Sequence, residues 1–428
     1  MDGQKTIKLI NPPQTEALDD RLDPPLGLMY IAAVLEWEGY PVEIVDLAFF
    51  PPEEWSRILG KPDIAGITVT SVSLHRAKEI LALIKQNNPE AVVVAGGPHP
   101  SCLPNETLAE GFDYVIAGEG EYTFLNLVKS YYSKDLVYWP KVIRSPQIDV
   151  NMLPFPARHL VQLKAYTRKI NGEPGTGIIT SRGCPYHCAF CSKSAHGEGI
   201  RFRAIPSVLD EMTQIIDTYG IRNFKFDDDT FTINRGRLYT MLEGLEDLNI
   251  RFRCQGNARS DTEEDFVRLY KAGCRHIIFG VESGSQHVLN LINKQVTVEQ
   301  NCHAILNAKK AGLTVRANLM VGSPGESWDT VKETVKFMWD ARPQQWIVSN
   351  FIPYPGCPIW NDPSKYGIKI LVHDWKQYFQ VAGQNIGGLT HQTEHLSMEE
   401  IGEARDYLLK HLPPQTGPLE DYYTELKK

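Results

Sequence analysis

The sequence predicts an α/β protein built from two successive sets of alternating strands and helices. The chain has 428 residues, which is too long for one ordinary core and suits two or three domains. Its strand-like runs are short and almost continuously apolar, as in parallel sheets that are covered on both faces. Helical patterns separate these runs along most of the chain, which is the order typical of parallel α/β folds.

The first set predicts a Rossmann-like, doubly wound parallel sheet. Its strand-like runs are TIKLINPP, VEIVDL, IAGITVT, AVVVAGG and YVIAG, and its helical stretches are PLGLMYIAAVLEWEGY, LHRAKEILALIKQNN and EGEYTFLNLVKSYY. We assign residues 1–140 to this domain. Residues 141–175, which proline residues interrupt, are assigned to a linker.

The second set predicts a partial (β/α)6 barrel over residues 176–360. Its candidate strands are GIITS, NFKFDD, RFRCQGN, HIIFGVES, VRANLMVG and WIVSNFIPY, with helical stretches between them. Barrels of this kind carry their active groups on the loops that follow the strands. We expect residues 361–428 to form a small, mainly helical C-terminal segment.

The composition argues against several classes of partner. The formal net charge is −8, so no basic surplus indicates binding to nucleic acid or to an anionic membrane. The start, MDGQKTIKLINPPQ, lacks the apolar core of a signal peptide, and no run approaches the roughly 18 apolar residues of a membrane span. We therefore expect a cytoplasmic protein with reduced thiols, and neither a nucleic-acid partner nor a membrane.

The stretch TSRGCPYHCAFCSKS places Cys184, Cys188 and Cys191 on the loop after the first strand of the second set. A structural zinc site uses four ligands, and disulfides require an oxidising compartment. Three thiolates suit a [4Fe–4S] cube in which three irons are held by the protein and the fourth is open. A zinc site completed by His187 or His196 is the alternative.

This Cys-x3-Cys-x2-Cys loop, at the start of a partial barrel, resembles the hallmark of the radical S-adenosylmethionine (SAM) superfamily. The resemblance extends over residues 176 to about 360. It implies that SAM chelates the open iron and is cleaved to methionine and a 5′-deoxyadenosyl radical, which removes a hydrogen atom from a substrate. It also implies an electron donor such as flavodoxin or ferredoxin.

The resemblance further implies which residues meet SAM near the cysteine loop. Asp228 and Asp229 follow the second strand, where the family places groups that meet the SAM ammonium, although an Asp cluster is also a plain helix cap. Arg259, after the third strand, is a candidate partner of the SAM carboxylate, with a surface ion pair as the alternative. Phe190 is expected to shield the cluster or to pack beside a ligand.

The later strand ends suit the nucleoside part of SAM. Glu282 and Ser283 follow the fourth strand, and a carboxylate there suits hydrogen bonds to ribose hydroxyls. Gly322 and Gly325 follow the fifth strand and would let the backbone approach adenine, with a plain turn as the alternative reading.

The order NPP, PPLGLMYIAAVLE, GGPHP and GEGE, upstream of the cysteine loop, resembles the cobalamin-binding branch of the superfamily, which includes the class B methyltransferases. The resemblance implies a B12-binding domain that holds cobalamin at two strand ends. The chain lacks the Asp-x-His-x-x-Gly motif that supplies a histidine to cobalt in other cobalamin proteins. The implied cobalamin-binding residues are Gly96, Gly97, Gly118, Glu119 and Gly120.

The function implied by this resemblance is cobalamin-dependent methylation of an unactivated carbon, or phosphorus, of a small metabolite. The alternatives are a non-methylating radical SAM enzyme, acting by dehydration, deoxygenation, cyclisation or ring contraction, and a non-catalytic cobalamin- or redox-sensing module. Tyr354 and Cys357 follow the sixth strand and are candidate pocket-wall or proton-donor residues, although an ordinary loop cysteine also explains Cys357.

Overall fold

The computed structural model describes residues 6–14, 19–193, 195–379 and 387–416. The chain divides into two compact units: Met1–Thr167 with Lys193–Glu198, and Arg168–Ser192 with Gly199–Lys428. Residues 380–386 and 417–428 of the predicted C-terminal segment lie outside the described residues. None of the helices within the described ranges combines the length and the apolar character that crossing a membrane requires.

The first unit contains a parallel sheet of six strands in its described part, in the order β2-β1-β3-β4-β5-β6. The reversal of strand order at β1 is that of doubly wound folds, which confirms the predicted class. The strands are β1 (Ile7–Asn11), β2 (Val42–Asp46), β3 (Ile64–Thr68), β4 (Val92–Gly96), β5 (Tyr114–Ala117) and β6 (Val142–Arg144). The helices are α1 (Leu26–Trp37), α2 (Trp55–Leu59), α3 (Leu74–Asn87), α4 (Pro98–Cys102), α5 (Pro104–Ala109) and α6 (Glu121–Ser133).

Helices α1 and α6 cover one face of this sheet and share its apolar core. Leu28, Met29 and Leu125 belong to one buried cluster with residues of β1 and β5. At Gly66 of β3, a Cβ atom would lie 2.9 Å from the ring of Phe124. A glycine there lets α6 pack closely on the strand.

The second unit contains a curled sheet whose order, in the described residues, is β15-β14-β13-β12-β11-β8-β7. Its strands are β7 (Lys169–Ile170), β8 (Glu173–Ile178), β11 (Asn223–Phe226), β12 (Arg251–Gln255), β13 (Cys274–Glu282), β14 (Thr314–Val321) and β15 (Gln345–Asn350). Two short antiparallel pairs join β9 (Ser181–Arg182) to β10 (Arg201–Phe202) and β16 (Lys369–Ile370) to β17 (His391–Gln392). Strands β8 and β11 to β15 pair in parallel, which confirms the predicted six-stranded partial barrel.

Helices alternate with these strands and continue into the C-terminal segment. They are α7 (Ile205–Tyr219), α8 (Arg235–Asp247), α9 (Glu263–Lys271), α10 (Gln286–Leu291), α11 (Val298–Lys310), α12 (Trp328–Ala341), α13 (Pro358–Asn361) and α14 (Met398–His411). Helix α9 begins with a capping box formed by Thr262 and Asp265, and α14 begins with one formed by Ser397 and Glu400. These caps fix where each helix leaves its loop, and the loops at the strand ends carry the site.

Candidate active site

The cysteine loop leaves the sheet just after β8. Cys184 and Cys188 are half-buried and Cys191 is exposed, and none of these three is in a disulfide. Burial raises the pKa of the Cys188 thiol, while the nearby Lys294 ammonium acts in the opposite direction. The loop therefore offers three thiols, with a cation close to one of them.

Backbone hydrogen bonds hold the middle of the loop in place. The N–H of Ala189 donates to the carbonyl of Ile292 at 2.8 Å, and the carbonyl of Ala189 accepts from the N–H of Ile359 at 3.1 Å. The side-chain amide of Asn293 donates to the carbonyl of His187 at 2.7 Å. Segments after β13 and β15 thus fix the backbone on both sides of Cys188, at His187 and Ala189.

The aromatic ring of Tyr186 anchors the first half of the loop. Its hydroxyl accepts a hydrogen bond from Asn257 Nδ2 at 2.7 Å. The guanidinium of Arg259 lies 3.7 Å from the centre of the Tyr186 ring and donates to the carbonyl of Lys294 at 2.6 Å. Arg259 therefore joins the cysteine loop to the segment around Lys294 through a cation–π contact.

An ion pair of Glu282 and Lys294 lies beside this loop. Lys294 Nζ is 2.7 Å from Glu282 Oε1 and 5.5 Å from the centre of the Phe190 ring. Burial alone would lower the pKa of Lys294, but the negative charges of the Glu282 carboxylate and of Cys188 in its thiolate form raise it. Sequence reasoning missed Lys294, because the surrounding NKQ turn matches no motif.

Backbone strain marks the same place. Glu282 has φ +63°, and Asn293 and Gln295, on either side of Lys294, have φ +50° and +54°. Non-glycine residues rarely adopt this left-handed conformation, and where they do they cluster at functional sites. The two strained turns present the carboxylate and the ammonium to each other.

The acidic residues after β11 differ sharply in environment. Asp228 is 2 % exposed, and its carboxylate accepts hydrogen bonds from the N–H groups of Thr180 at 2.7 Å and Ser181 at 3.1 Å. Burial raises the Asp228 pKa. Asp229 is exposed. Asp228 thus holds the chain that leads into the cysteine loop, and a SAM contact by either residue stays a prediction.

Ser283 points towards a helix in this structure. Its hydroxyl lies 3.3 Å from Thr334 Oγ1 of α12 and accepts from the N–H of Ser285 at 3.1 Å. The side chain therefore organises the start of α10. Its predicted contact with SAM stays a prediction, as does the predicted hydrogen bond between Glu282 and a ribose hydroxyl of SAM.

The turn after β14 is clamped from two sides. Gly322 and Gly325 have φ +87° and +74°. The buried carboxylate of Glu326 accepts from the N–H groups of Gly322 and Ser323. Nε2 of the buried His391 lies 2.7 Å from the carbonyl of Gly322. Glu326 is a second residue that the sequence reasoning missed.

The candidates after β15 lie at the foot of α13. Cys357 is fully buried, and its sulfur accepts a hydrogen bond from the N–H of Trp360 at 3.3 Å, which caps the helix. Burial raises the pKa of the half-buried Tyr354 hydroxyl. The Cys357 thiol has a structural contact of its own, and a role in the chemistry stays a prediction for both residues.

The predicted cobalamin-binding glycines lie at the carboxyl ends of β4 and β5 in the first unit. Gly97 and Gly118 have φ +107° and +101°. At Gly96 an added Cβ atom would meet only one atom, at 4.0 Å, whereas at Gly97 it would lie 3.0 Å from the backbone of Val69. The glycine at position 97 therefore permits a tight turn, and binding of cobalamin at Gly96 and Gly97 stays a prediction.

Glu119, which stands between Gly118 and Gly120 in the sequence, is buried. Its carboxylate accepts from the N–H of Ile148 at 2.8 Å and lies 3.1 Å from Nδ1 of His196. These contacts fix the turn that precedes α6. Binding of cobalamin by Glu119 and its neighbours stays a prediction.

The donor set suits an iron–sulfur cube. Within the described ranges, no three His, Cys, Asp or Glu side chains form a group that would hold a metal ion. A cube does not need such convergence, because each thiolate binds a different iron. Three cysteine thiols on one anchored loop therefore suit a [4Fe–4S] cluster.

Comparison with protein families identifies both halves of the chain. The model of the Radical SAM superfamily matches residues 178–338, which include the cysteine loop and strands β11 to β14. The model of the B12 binding domain matches residues 23–128, which include β2 to β5 of the first unit.

Three curated relatives align with most of the chain. An uncharacterised methyltransferase of Pyrococcus horikoshii is 32% identical over 87% of this chain and 86% of its own length. An anaerobic magnesium-protoporphyrin IX monomethyl ester cyclase of Cereibacter sphaeroides is 27% identical over 83% and 62%. The cytidylyl-2-hydroxyethylphosphonate methyltransferase of Streptomyces wedmorensis is 28% identical over 76% and 75%.

A solved structure shares the fold. The radical S-adenosylmethionine methyltransferase TsrM of Kitasatospora setae, with cobalamin and a [4Fe-4S] cluster bound, superposes with a TM-score of 0.74. The match covers 96% of this chain and 89% of that one at 18% identity. On the family models and the identity to the Pyrococcus protein, the chain belongs to the radical SAM superfamily and carries its B12-binding domain.

Proposed function

We propose that the protein is a cobalamin-dependent radical SAM methyltransferase that methylates an unactivated carbon, or phosphorus, of a small molecule. The observation that carries this proposal is the pairing of two features in one chain. One is an anchored loop with three cysteines that form no disulfide, and the other is a B12-binding domain. Two of the three curated relatives above are named methyltransferases, which supports transfer of a methyl group.

The chain's own residues would hold and shield the cofactors. We propose that Cys184, Cys188 and Cys191 bind the cluster, which when loaded supplies the electron that cleaves SAM. A reductant such as flavodoxin or ferredoxin would deliver that electron. Asp228 holds the loop's entry through its two backbone hydrogen bonds, and Phe190 packs against the apolar cluster that contains Ala189 and Ile292.

Glu282 and Lys294 are the groups best suited to meet the charged parts of SAM. They lie 2.7 Å apart in strained turns, so each has a partner before a ligand arrives. An ammonium and a carboxylate on SAM would find complementary groups in this pair. Arg259 would hold the turn that carries Lys294 through its hydrogen bond to the Lys294 carbonyl.

Gly322, fixed by Glu326 and His391, is proposed to form a backbone wall for the nucleoside. The Gly322 carbonyl is already bonded to His391, and its N–H to Glu326, so the turn cannot swing. The proposal includes a division of the chain into four parts: a cobalamin domain at 1–140, a linker at 141–175, a barrel at 176–360 and a C-terminal segment at 361–428.

The test is to count two products of SAM. Full-length protein, purified without oxygen and loaded with iron, sulfide and cobalamin, is incubated with SAM, a reductant and a library of small molecules. A methyltransferase forms both 5′-deoxyadenosine and S-adenosylhomocysteine. Formation of 5′-deoxyadenosine with a product, but without S-adenosylhomocysteine, would instead assign a non-methylating reaction; one of the three curated relatives is named a cyclase.

A further inference from the structure

A short segment that follows the cysteine loop belongs to the first unit. Residues Lys193–Glu198 are grouped with Met1–Thr167, whereas the residues on both sides of them belong to the second unit. The chain therefore leaves the second unit just after the cysteine loop and returns to it at Gly199. Hydrogen bonds at residues 196–198 show how the first unit holds this segment.

The side-chain amide of Gln147 holds the segment by its backbone. Gln147 Nε2 donates to the carbonyl of His196 at 2.7 Å and to the carbonyl of Glu198 at 3.1 Å. Between these two residues lies Gly197, which has φ +68° and where an added Cβ atom would overlap Gln147 Nε2. A glycine lets the backbone adopt this conformation and approach the amide without strain. The segment and the amide are therefore fitted to each other.

The side chain of His196 contacts the turn that is predicted to bind cobalamin. Its Nδ1 lies 3.1 Å from Oε1 of Glu119, while Oε2 of Glu119 accepts from the N–H of Ile148. The Glu119 side chain is 2 % exposed, and burial of a carboxylate is unfavourable unless hydrogen-bond donors meet its oxygens. Because Glu119 is the middle residue of the turn 118–120, the segment and this turn stabilise each other.

The start of the segment is tied to the end of the cysteine loop. The carbonyl of Lys193 accepts a hydrogen bond from the N–H of Gly197 at 2.8 Å. Lys193 follows Cys191 by two residues in the sequence. The backbone that Gln147 holds at Gly197 is therefore connected, through one hydrogen bond and two peptide units, to the third cysteine.

The end of the segment is in contact with the start of the same loop. Glu198 is followed by Gly199, and an added Cβ atom at Gly183 would overlap the carbonyl of Gly199. Strand β9 ends just before Gly183, and its partner β10 begins just after Gly199 and Ile200. Gly183 directly precedes Cys184. A displacement of the segment would thus reach the first cysteine as well as the third.

From these contacts we infer that Gln147, His196 and Gly197 are positioning residues that couple the iron–sulfur cluster to cobalamin. The inference rests on the proposed function, because it requires both cofactors. Ordering of the turn 118–120 by cobalamin would fix Glu119, hence His196 and the backbone on both sides of the cysteine loop. A loop that is already ordered loses less conformational entropy when it binds a cluster, so the two binding events favour each other.

This coupling has a defined thermodynamic form. Each cofactor should tighten the binding of the other by the same factor, because coupling between two binding sites is reciprocal. A chain that has lost one cofactor would then lose the other more readily. The segment 196–198 would in this way favour the protein that carries both cofactors over a protein that carries one.

The experiment measures each cofactor on the full-length protein with and without the other. Equilibrium dialysis gives the dissociation constant of hydroxocobalamin for the cluster-loaded and the cluster-free protein. Loss of iron to a chelator is followed with and without hydroxocobalamin. Gln147→Ala removes the amide that holds the segment. Asn87→Ala is the matched control, since Asn87 Nδ2 also donates to two backbone carbonyls of the first unit, those of Ser56 and Gly60.

In the unaltered protein and in Asn87→Ala, the cluster is expected to tighten cobalamin binding by about fivefold or more, and cobalamin to slow the loss of iron. In Gln147→Ala each cofactor should still bind alone, but the coupling factor should approach one. A merely structural role of Gln147 would weaken the cofactors singly and leave the coupling factor unchanged. That result, or independent binding of the two cofactors in the unaltered protein, overturns the inference.

Two variants at His196 test the contact with Glu119. His196→Asn can place an amide nitrogen where Nδ1 lies and should keep the coupling, whereas His196→Leu should lose it. Equal coupling in these two variants would overturn the role of His196. If Gln147→Ala does not fold, as judged by circular dichroism, the pair at His196 decides.

The two proposals fail separately. Coupled binding of cobalamin and cluster, in a protein that never forms S-adenosylhomocysteine, would leave the positioning role standing and overturn the methyltransferase. Formation of S-adenosylhomocysteine by a protein whose two cofactors bind independently would do the reverse. Absence of cobalamin binding would overturn both.

Discussion

Replacement of Asp228 by alanine is expected to destabilise the entry to the cysteine loop and to lower the iron content of the protein. In the structure the Asp228 carboxylate satisfies the N–H groups of Thr180 and Ser181 in a buried position. Each buried N–H left without a partner costs about 1–3 kcal/mol. Burial of the carboxylate, which raises its pKa, is itself unfavourable and offsets part of the stabilisation by these hydrogen bonds. We therefore expect Asp228→Ala to lower the free energy of unfolding by about 2–4 kcal/mol.

The assay measures the urea midpoint of the second unit's unfolding and the number of irons per chain after anaerobic reconstitution. Asp228→Asn keeps an acceptor and should lose about half as much stability. The neighbouring residue provides the control, since Asp229 is exposed and Asp229→Ala should shift stability by less than about 0.5 kcal/mol. An Asp228→Ala protein as stable and as rich in iron as Asp229→Ala would refute the reasoning.

Three further predictions concern thiols and buried titratable groups. Cys191→Ser should lose bound iron, whereas Cys357→Ser should keep it, because Cys357 caps α13 and is not on the loop; iron analysis separates the two. Burial raises the pKa of Glu326 from 4.5 to about 7, so its contribution to the free energy of unfolding is fully present below pH 4.5 and falls by about 3 kcal/mol as pH rises through 7. Glu326→Gln should flatten the plot of melting temperature against pH between these two values. An unchanged plot would contradict the assignment. Burial lowers the pKa of His391 from 6.5 to about 4, so its contribution to stability is present above pH 6.5 and is lost as pH falls through 4. Between pH 6.5 and 4, the melting temperature of His391→Gln should fall less steeply than that of the unaltered protein. An equally steep fall would be evidence against a neutral buried His391.

The fold could be predicted from the sequence because apolar runs and helical periods are local signals. The run NFKFDD predicts a strand, and β11 is found at Asn223–Phe226. The run WIVSNFIPY is too long as a strand, since β15 ends at Asn350. The two prolines at 353 and 355 explain the difference, because proline provides no N–H for a sheet. Helix α10 was missed, and its six residues are too few to show a period.

The site could be predicted only where a motif carries its own spacing. The three loop cysteines are such a case. Lys294 is not, because it reaches Glu282 only through the fold, from a turn whose left-handed residues are not glycines. Glu326 reads as an ordinary acidic residue before α12, and its burial against two backbone N–H groups becomes visible only in three dimensions.

The anchoring of the cysteine loop links fold to function most directly. Ala189, between the second and third cysteines, forms backbone hydrogen bonds with Ile292, which ends α10, and with Ile359 of α13; these two helices follow β13 and β15. The sheet thus sets the loop geometry from strands that are far apart in sequence. A cluster loop held in this way can keep its open side aligned with the strand ends, where the proposed ligands would bind.

The measurement that tests the central claim most directly is the corrinoid content of the full-length protein, purified without oxygen from cobalamin-fed cells and quantified against iron. The account predicts close to one cobalamin per chain beside about four irons, with a visible spectrum that contains both chromophores. A full cluster with no cobalamin, even after reconstitution, would contradict the cobalamin-dependent methyltransferase and leave the first unit without its proposed role.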